Sequence, residues 1–210
     1  MPEPESQSDA ARGGLAHLLA EVRACELCAP HLPLGPRPVL RAAASARIMI
    51  VGQAPGTRVH ESGIPWNDAS GRRLREWLAL DDDMFYDQTR IAIIPMGFCY
   101  PGANPKGGDN PPRPECAPCW HPRLARALPN IELTLLVGMY AQRWYLGGRA
   151  ARNMTETVRG WRAYAPDFMP TPHPSWRTTH WQKNNPWFEA EIVPELRARV
   201  HALLGEGVAA

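Results

Sequence analysis

The stretch Ile48-Met49-Ile50-Val51-Gly52-Gln53-Ala54-Pro55-Gly56 decides the fold of this chain. Its first four residues form a short, apolar, β-branched run, which is typical of a strand buried on both faces. Its last five residues form a loop rich in glycine and proline. In open α/β sheets, the loops at the carboxyl ends of the strands build the binding sites. The stretch therefore predicts a buried strand that delivers a loop with free backbone N–H groups to a ligand.

A second segment repeats this arrangement near the other end of the chain. His173-Pro174-Ser175 closely follows residues 168–171, a short run that reads as a strand. Because the carboxyl ends of parallel strands meet at one edge of a sheet, we expect the two loops to converge on one ligand.

Strands and helices alternate along the rest of the chain. The predicted strands are residues 47–51, 90–94, 131–137 and 168–171. The predicted helices are residues 15–24, 68–80, 115–128, 140–146 and 187–204, with Asp68 or Ser70 as the N-cap of the second. Residues 57–67 and 95–114 read as loops, and a loop as long as the second one is usually functional. The alternation predicts a parallel sheet covered by helices on both faces.

Length and composition predict one globular domain. Of the 210 residues, we assign 14–205 to the domain, 1–13 to a disordered leader and 206–210 to a flexible tail. No apolar run reaches the roughly 18 residues of a membrane span, and residues 1–13 do not resemble a signal peptide. We expect a cytoplasmic monomer. The net charge of +2 is too small to indicate nucleic-acid binding by itself.

Five cysteines point to a metal centre. An odd number argues against a disulfide framework, and Cys25 and Cys28, like Cys116 and Cys119, have C-x-x-C spacing. Together with Cys99 they could supply four thiolates to tetrahedral zinc or to a cubane iron–sulfur cluster. Spacing alone does not choose between the two, and Cys99 could instead be a small buried apolar residue.

Taken together, these motifs resemble the uracil-DNA glycosylase superfamily, and within it the iron–sulfur (family 4-like) enzymes of bacteria and archaea. That group has Gly-Glu-Ala-Pro-Gly after a strand, where this chain has Gly52 to Gly56. A Gly-x-Pro-Phe segment follows, matched by Gly63-Ile64-Pro65-Trp66, and a His-Pro-Ser segment matches residues 173–175. Each motif is weak alone, but their order along the chain is specific.

The resemblance implies a single three-layer α/β/α domain with a central four-stranded parallel sheet. It implies a monofunctional glycosylase of base excision repair that flips uracil out of single- or double-stranded DNA. Hydrolysis of the N-glycosidic bond would leave an abasic site. It also implies a structural [4Fe-4S] cluster, with zinc as the alternative. The ligands would be Cys25, Cys28, Cys99 and Cys116, and Cys119 would not be a ligand.

The resemblance also gives roles to individual residues. His173 would stabilise the negative charge on O2 of the departing uracil, and Trp66 would stack on the flipped base. The expected catalytic residues are His173, Gln53 and Ala54, and the expected uracil-binding residues are Gly52, Gln53, Ala54, Trp66, Asn67 and His173. The residues expected to contact DNA are Arg113, Ser175, Trp176 and Arg177.

Three positions depart from the family pattern. Ala54 stands where many members have a water-positioning aspartate, and Gln53 stands where the iron–sulfur group has glutamate. Glutamine can orient a water but cannot deprotonate it. Glu61 or Asp68 could then help to place the water.

Pro95 aligns with the asparagine that reads the uracil edge in many members. Base recognition would then come from backbone amides, Asn67, Asp68, or an asparagine of the long loop, Asn104 or Asn110.

These departures keep other functions open. A non-catalytic protein that binds uracil or other lesions in DNA would keep the pocket and lose water activation. A glycosylase with a different deaminated base as its main target would explain Pro95. A zinc-stabilised α/β protein with an unrelated small-molecule site would have no affinity for uracil DNA.

Overall fold

A computed structural model describes residues 4–205, and its centre is a parallel sheet of four strands. The strands are β1 (Ile48–Val51), β2 (Ile91–Ile93), β3 (Leu133–Val137) and β4 (Phe168–Thr171). Their order across the sheet is β2-β1-β3-β4, and each neighbouring pair is parallel. The predicted four-stranded parallel sheet is confirmed. The next strand in sequence, β2, lies on one side of β1, whereas β3 and β4 lie on the other side. The direction of strand addition therefore reverses, and a topological switch point lies between β1 and β3.

Helices cover both faces of the sheet. They are α1 (Pro4–Arg23), α2 (Thr57–Ser62), α3 (Ala69–Leu78), α4 (Asp82–Tyr86), α5 (Cys116–Ala127), α6 (Met139–Leu146), α7 (Met154–Arg159), α8 (Thr178–Asn184) and α9 (Val193–Leu204). A π-helical turn, Phe188–Ile192, leads into α9. None of the helices in the described part of the chain is long and apolar enough to cross a membrane.

Strand β1 divides the core between the two faces. Met49 and Val51 belong to the cluster that also contains residues of α1, α5 and α6. Ile48 and Ile50 belong to the opposite cluster, with residues of α3 and α9. Because successive side chains of a strand point to opposite faces, a strand apolar at every position needs a cover on both sides. The result is the predicted three-layer α/β/α architecture.

Several element boundaries differ from the sequence prediction. The helix predicted from residue 15 begins at Pro4, so it includes most of the segment assigned to a disordered leader. Residues 1–3 and the predicted tail, 206–210, lie outside the described residues. Helix α2 lies within the predicted loop 57–67, and the loop 95–114 contains a short antiparallel bridge between Ala103 and Asp109.

Candidate active site

A cleft of about 340 Å³ opens at the carboxyl edge of the sheet. Four segments line most of it: the loop after β1, the residues before α3, the 108–109 segment, and the loop after β4. The two motif loops therefore meet at one site, as the sequence predicts. This is the edge where α/β sheets bind their ligands.

The loop after β1 is held in place by the segment after β2 and by the 102–110 segment. The Met96 and Gly97 N–H groups donate to the Gly52 and Gln53 carbonyls, each at 3.0 Å. The Gln53 side-chain Nε2 donates to the Asn110 carbonyl at 3.3 Å. The Gln53 amide nitrogen is thus used to connect two loops.

Trp66 forms one wall of the cleft and requires glycine beneath it. Its backbone has a left-handed φ of 58°. A Cβ atom on Gly52 would lie 2.6 Å from Cζ2 of the Trp66 ring, so residue 52 must lack a side chain for the ring to pack there. The ring also lies against His173, with centroids 5.6 Å apart and planes inclined by 33°.

His173 is fixed through its backbone, which leaves the imidazole facing the cleft. The Ser175 N–H donates to the His173 carbonyl at 2.9 Å, and the Thr178 hydroxyl donates to the same oxygen. Burial lowers the pKa of His173, whereas the nearby Asp68 carboxylate raises it. Because burial dominates, the imidazole is neutral at neutral pH and its N–H can donate to a ligand.

Arg73 joins the loop after β4 to helix α3. Its Nη1 donates to the Ser175 carbonyl at 3.4 Å and to the Thr179 hydroxyl at 3.1 Å. Its Nη2 donates to the side-chain oxygen of Gln182. This arginine, which the sequence analysis did not assign to the site, holds together the two sides of the cleft that carry Trp66 and His173.

Two carboxylates line the cleft, and the sequence analysis named only one of them. Asp68 caps α3, and its Oδ1 accepts from the Gly71 N–H at 2.7 Å. Asp109 was missed. The sequence feature that could have indicated Asp109 is the Gly107-Gly108 pair before it, since such a pair predicts a tight turn within the long loop.

Most of the predicted site residues line the cleft. They are Gly52, Gln53, Ala54, Trp66, His173, Ser175, Trp176 and Arg177. Asn67 does not line it and is exposed. Arg113 lies away from it and forms an ion pair of 2.5 Å with Glu115.

Of the alternatives considered for base reading and water placement, Asp68 lines the cleft and the others lie elsewhere. Glu61, Asn104 and Asn110 do not line the cleft. The Asn110 side chain donates to the Pro101 and Ala103 carbonyls, at 3.2 and 3.3 Å.

Pro95 lines the cleft, and its carbonyl is already engaged. The Nε2–H of His121 donates to this oxygen at 3.0 Å, while Tyr145 Oη lies 2.8 Å from Nδ1. Burial lowers the pKa of His121 to about 4, so the ring is neutral. His121 thus fixes the chain after β2 through this hydrogen bond. The side chain at position 95 is a proline ring, which cannot read a base by hydrogen bonding.

Four cysteines line a second, smaller cavity: Cys25, Cys28, Cys99 and Cys116. Burial, together with the neighbouring cysteines, raises the pKa of Cys99 to about 11 and that of Cys116 to about 12. Cys119 does not line this cavity and is exposed. The structure therefore brings together the predicted four and leaves out the fifth.

The thiols of this cavity are unpaired donors. Among the side chains that the structure describes, those of residues 14–205, no group of three or more His, Cys, Asp or Glu is placed to hold a single metal ion. All five cysteines are free thiols. Four thiols that line one cavity are the type of donor that both zinc sites and iron–sulfur clusters use.

Comparison with known proteins gives the family. The sequence model of the Uracil DNA glycosylase superfamily matches residues 40–197. The chain is also similar to the solution NMR structure of a candidate uracil DNA glycosylase from Methanosarcina acetivorans, at 17% identity and a TM-score of 0.43. That match covers 78% of this chain and 99% of the other. On the family match, the chain belongs to the uracil DNA glycosylase superfamily.

Proposed function

We propose that this member of the uracil DNA glycosylase superfamily excises uracil from DNA by hydrolysing its N-glycosidic bond and leaves an abasic site. One observation carries the proposal. The neutral imidazole of His173 and the ring of Trp66 lie side by side in a cleft whose third wall is the Gly52 loop. Together they offer one planar base a hydrogen-bond donor from His173, a stacking surface from Trp66 and backbone groups of the Gly52 loop at close range.

His173 would carry the larger part of the catalysis. When the bond between C1′ and N1 breaks, the departing uracil takes the electron pair, and negative charge develops on its O2. A donor aimed at that oxygen stabilises the transition state more than the ground state. A neutral imidazole suits this role because its N–H can donate without first placing a cation in a poorly solvated site.

Base flipping needs compensation, which the cleft and its rim can supply. Extruding a nucleotide from the stack costs a few kcal/mol. Stacking on Trp66 would return roughly 1–3 kcal/mol. At the rim, Trp176 is 78% exposed, and the guanidinium carbon of Arg177 lies 5.4 Å from the centroid of the Trp176 ring. We infer that Trp176 fills the gap left by the flipped base and that Ser175 and Arg177 contact the phosphates.

The cysteine cavity would hold a [4Fe-4S] cluster, with zinc as the alternative. Cys25, Cys28, Cys99 and Cys116 would be its ligands. Such a cluster would act structurally, because it would join the end of α1 to the segment after β2 and to the start of α5. Arg113 also lines this cavity, so any contact it makes with DNA would be near the cluster.

A broader base range is a second candidate function. The position after β2 presents Pro95, with its carbonyl bound to His121, and so offers no side chain that distinguishes uracil from other deaminated bases. Discrimination would then depend on cleft shape and backbone groups, which discriminate less sharply than a dedicated polar side chain.

The test is incubation of the wild-type protein with matched DNA duplexes that carry one uracil, hypoxanthine or thymine. The proposal expects alkali-labile cleavage at uracil and none at thymine. Cleavage at hypoxanthine as well would support the broader range. Tight binding to uracil DNA without any cleavage would contradict an enzyme and favour a non-catalytic lesion-binding protein.

A further inference from the structure

We propose that Asp109 is the catalytic base that positions and deprotonates the hydrolytic water. The inference rests on the proposed glycosylase function and supplies the group that the motif loop lacks. Ala54 has no polar side chain, and the Gln53 amide cannot accept a proton at neutral pH. The carboxylates that line the cleft are then the groups able to take a proton from water while His173 donates to the departing base.

A tight hairpin delivers Asp109 to the cleft. The Asn104 N–H donates to the Gly108 carbonyl at 2.7 Å, and the Asn110 N–H donates to the Gly102 carbonyl at 2.8 Å. Gly107 and Gly108 at its turn have left-handed φ angles of 91° and 76°. Residues with side chains rarely adopt these angles, so the glycine pair sets the direction of the strand that carries Asp109.

The hairpin is docked onto the loop after β1. The Gln53 Nε2 donates to the carbonyl of Asn110, the residue that follows Asp109 in the chain. The Asp109 Oδ2 lies 3.2 Å from the place that a Cβ atom on Gly56 would occupy. The carboxylate therefore lies against the Gly-Gln-Ala-Pro-Gly loop, on the same cleft as His173 and Trp66.

Asp109 is better suited to be the base than the other carboxylate of the cleft. The Oδ1 of Asp68 is engaged by the Gly71 N–H, since Asp68 is the N-cap of α3. In the part of the chain whose side chains are described, residues 14–205, no group donates a hydrogen bond to the Asp109 carboxylate, so both of its oxygens are available to a water. Glu61, the other acidic residue considered for this role, does not line the cleft.

The reaction balances with these groups. A water oxygen forms a bond to C1′ while the C1′–N1 bond breaks, and the electron pair leaves with uracil. One proton of the water passes to the Asp109 carboxylate, and the other stays on the new hydroxyl of the abasic sugar. His173 stabilises the uracil anion, which then takes up a proton from solvent, and Asp109 returns its own proton to solvent.

The charges around Asp109 determine the expected pH dependence. Its side chain faces Asp68 and Arg177, and His173 shares the cleft. Partial burial raises the pKa of Asp109, Asp68 raises it further, and Arg177 lowers it. A base works only when deprotonated, so the rate should fall as the pH drops through this raised pKa.

The experiment compares Asp109→Asn and Asp109→Glu with Asp83→Asn, an exposed acidic residue of α4 outside the cleft. Single-turnover cleavage of uracil duplex is measured across the acidic pH range, together with duplex affinity and melting temperature. We expect Asp109→Asn to lose about a hundredfold or more in rate and to lose the acid limb of the profile. Asp109→Glu should recover part of the rate, and Asp83→Asn should match the wild type.

The outcomes separate this inference from the proposed function. An active wild type with an equally active Asp109→Asn would overturn the role of Asp109 alone. So would a rate loss accompanied by a matching loss of duplex affinity or melting temperature, since the hairpin would then be merely structural. A wild type that binds uracil DNA and leaves it intact would overturn the glycosylase function, and the assignment of Asp109 with it.

Discussion

Gly52 shows how a single residue type makes the cleft possible. Its backbone lies directly under the Trp66 ring, where a Cβ atom would come within 2.6 Å of Cζ2. Such a contact is far inside van der Waals distance, so either the ring or the loop must move. Both the stacking surface and the backbone of the motif loop depend on this approach.

We therefore expect Gly52→Ala to displace the Trp66 ring and to lower the single-turnover rate on uracil DNA. Misplacement of a site residue by about 1 Å can cost roughly a hundredfold in rate. Gly148→Ala is the matched control, because nothing lies within 4 Å of a Cβ atom added there. An unchanged rate in Gly52→Ala would contradict the assigned position of Trp66.

The residues predicted from sequence divide by whether a local motif specifies them. Gly52, Trp66 and His173 were predicted because each belongs to a short motif, and the order of these motifs along the chain carries the family resemblance. Asp109 was not, because its position depends on how a hairpin folds and docks onto the Gln53 loop. Asn67 was considered as a replacement for the asparagine missing at Pro95, but it is exposed and does not line the cleft.

Helix α3 connects the stability of an element to the geometry of the site. Asp68 caps its N-terminus, and the first turn packs so closely on Trp66 that a Cβ atom on Gly71 would lie 1.7 Å from the Trp66 carbonyl oxygen. Arg73, on the same helix, holds the loop that follows His173. The start of α3 thus fixes both rings of the cleft.

Asp68→Ala should destabilise the protein because the Gly71 N–H loses its acceptor. Loss of an N-cap side chain costs about 0.5–2 kcal/mol in the free energy of unfolding. Urea denaturation followed by circular dichroism measures this loss. Asp68→Asn, which keeps a capping oxygen, should retain most of the stability; equal losses in both variants would contradict the capping role.

At the scale of elements, the sequence predicted the strands better than the helices. β1 is apolar at every position and β3 at every position except Thr134, so their burial on both faces was readable directly. The short helices α2, α7 and α8 have at most seven residues, which is too few for a clear helical periodicity. Their stability comes from caps and tertiary packing, as with Asn153, whose side chain accepts from the Glu156 N–H.

Across the whole molecule, the cysteine cavity joins segments that are distant in sequence. Cys25 and Cys28 follow α1, Cys99 follows β2, and Cys116 begins α5. A group bound there would cross-link these three regions. It would also fix the base of the segment that carries the Asp109 hairpin.

Cys99→Ser should therefore lower both the iron content and the melting temperature of protein purified without oxygen. Cys119→Ser is the matched control, since Cys119 is exposed and does not line the cavity. Elemental analysis and visible absorption measure the bound metal. Zinc in place of iron would contradict the cluster, and equal metal content in both variants would contradict the assigned ligands.

The switch point between β1 and β3 explains why the site lies where it does. Loops diverge there, and the cleft between them is closed by the loop after β4. The order of the strands could not be read from the sequence, because alternation of strands and helices allows several orders. The convergence of the Gly52 and His173 loops was nevertheless predictable, since all strands of a parallel sheet end at the same edge.

The measurement that tests the central claim most directly is single-turnover excision of uracil by the wild type and by His173→Ala. Binding of the same duplex is followed in parallel. We expect alkali-labile product from the wild type and a rate lower by about 10²–10³ in the variant, with binding largely retained. Equal rates in the two proteins would contradict leaving-group stabilisation by His173 and with it the account of the cleft.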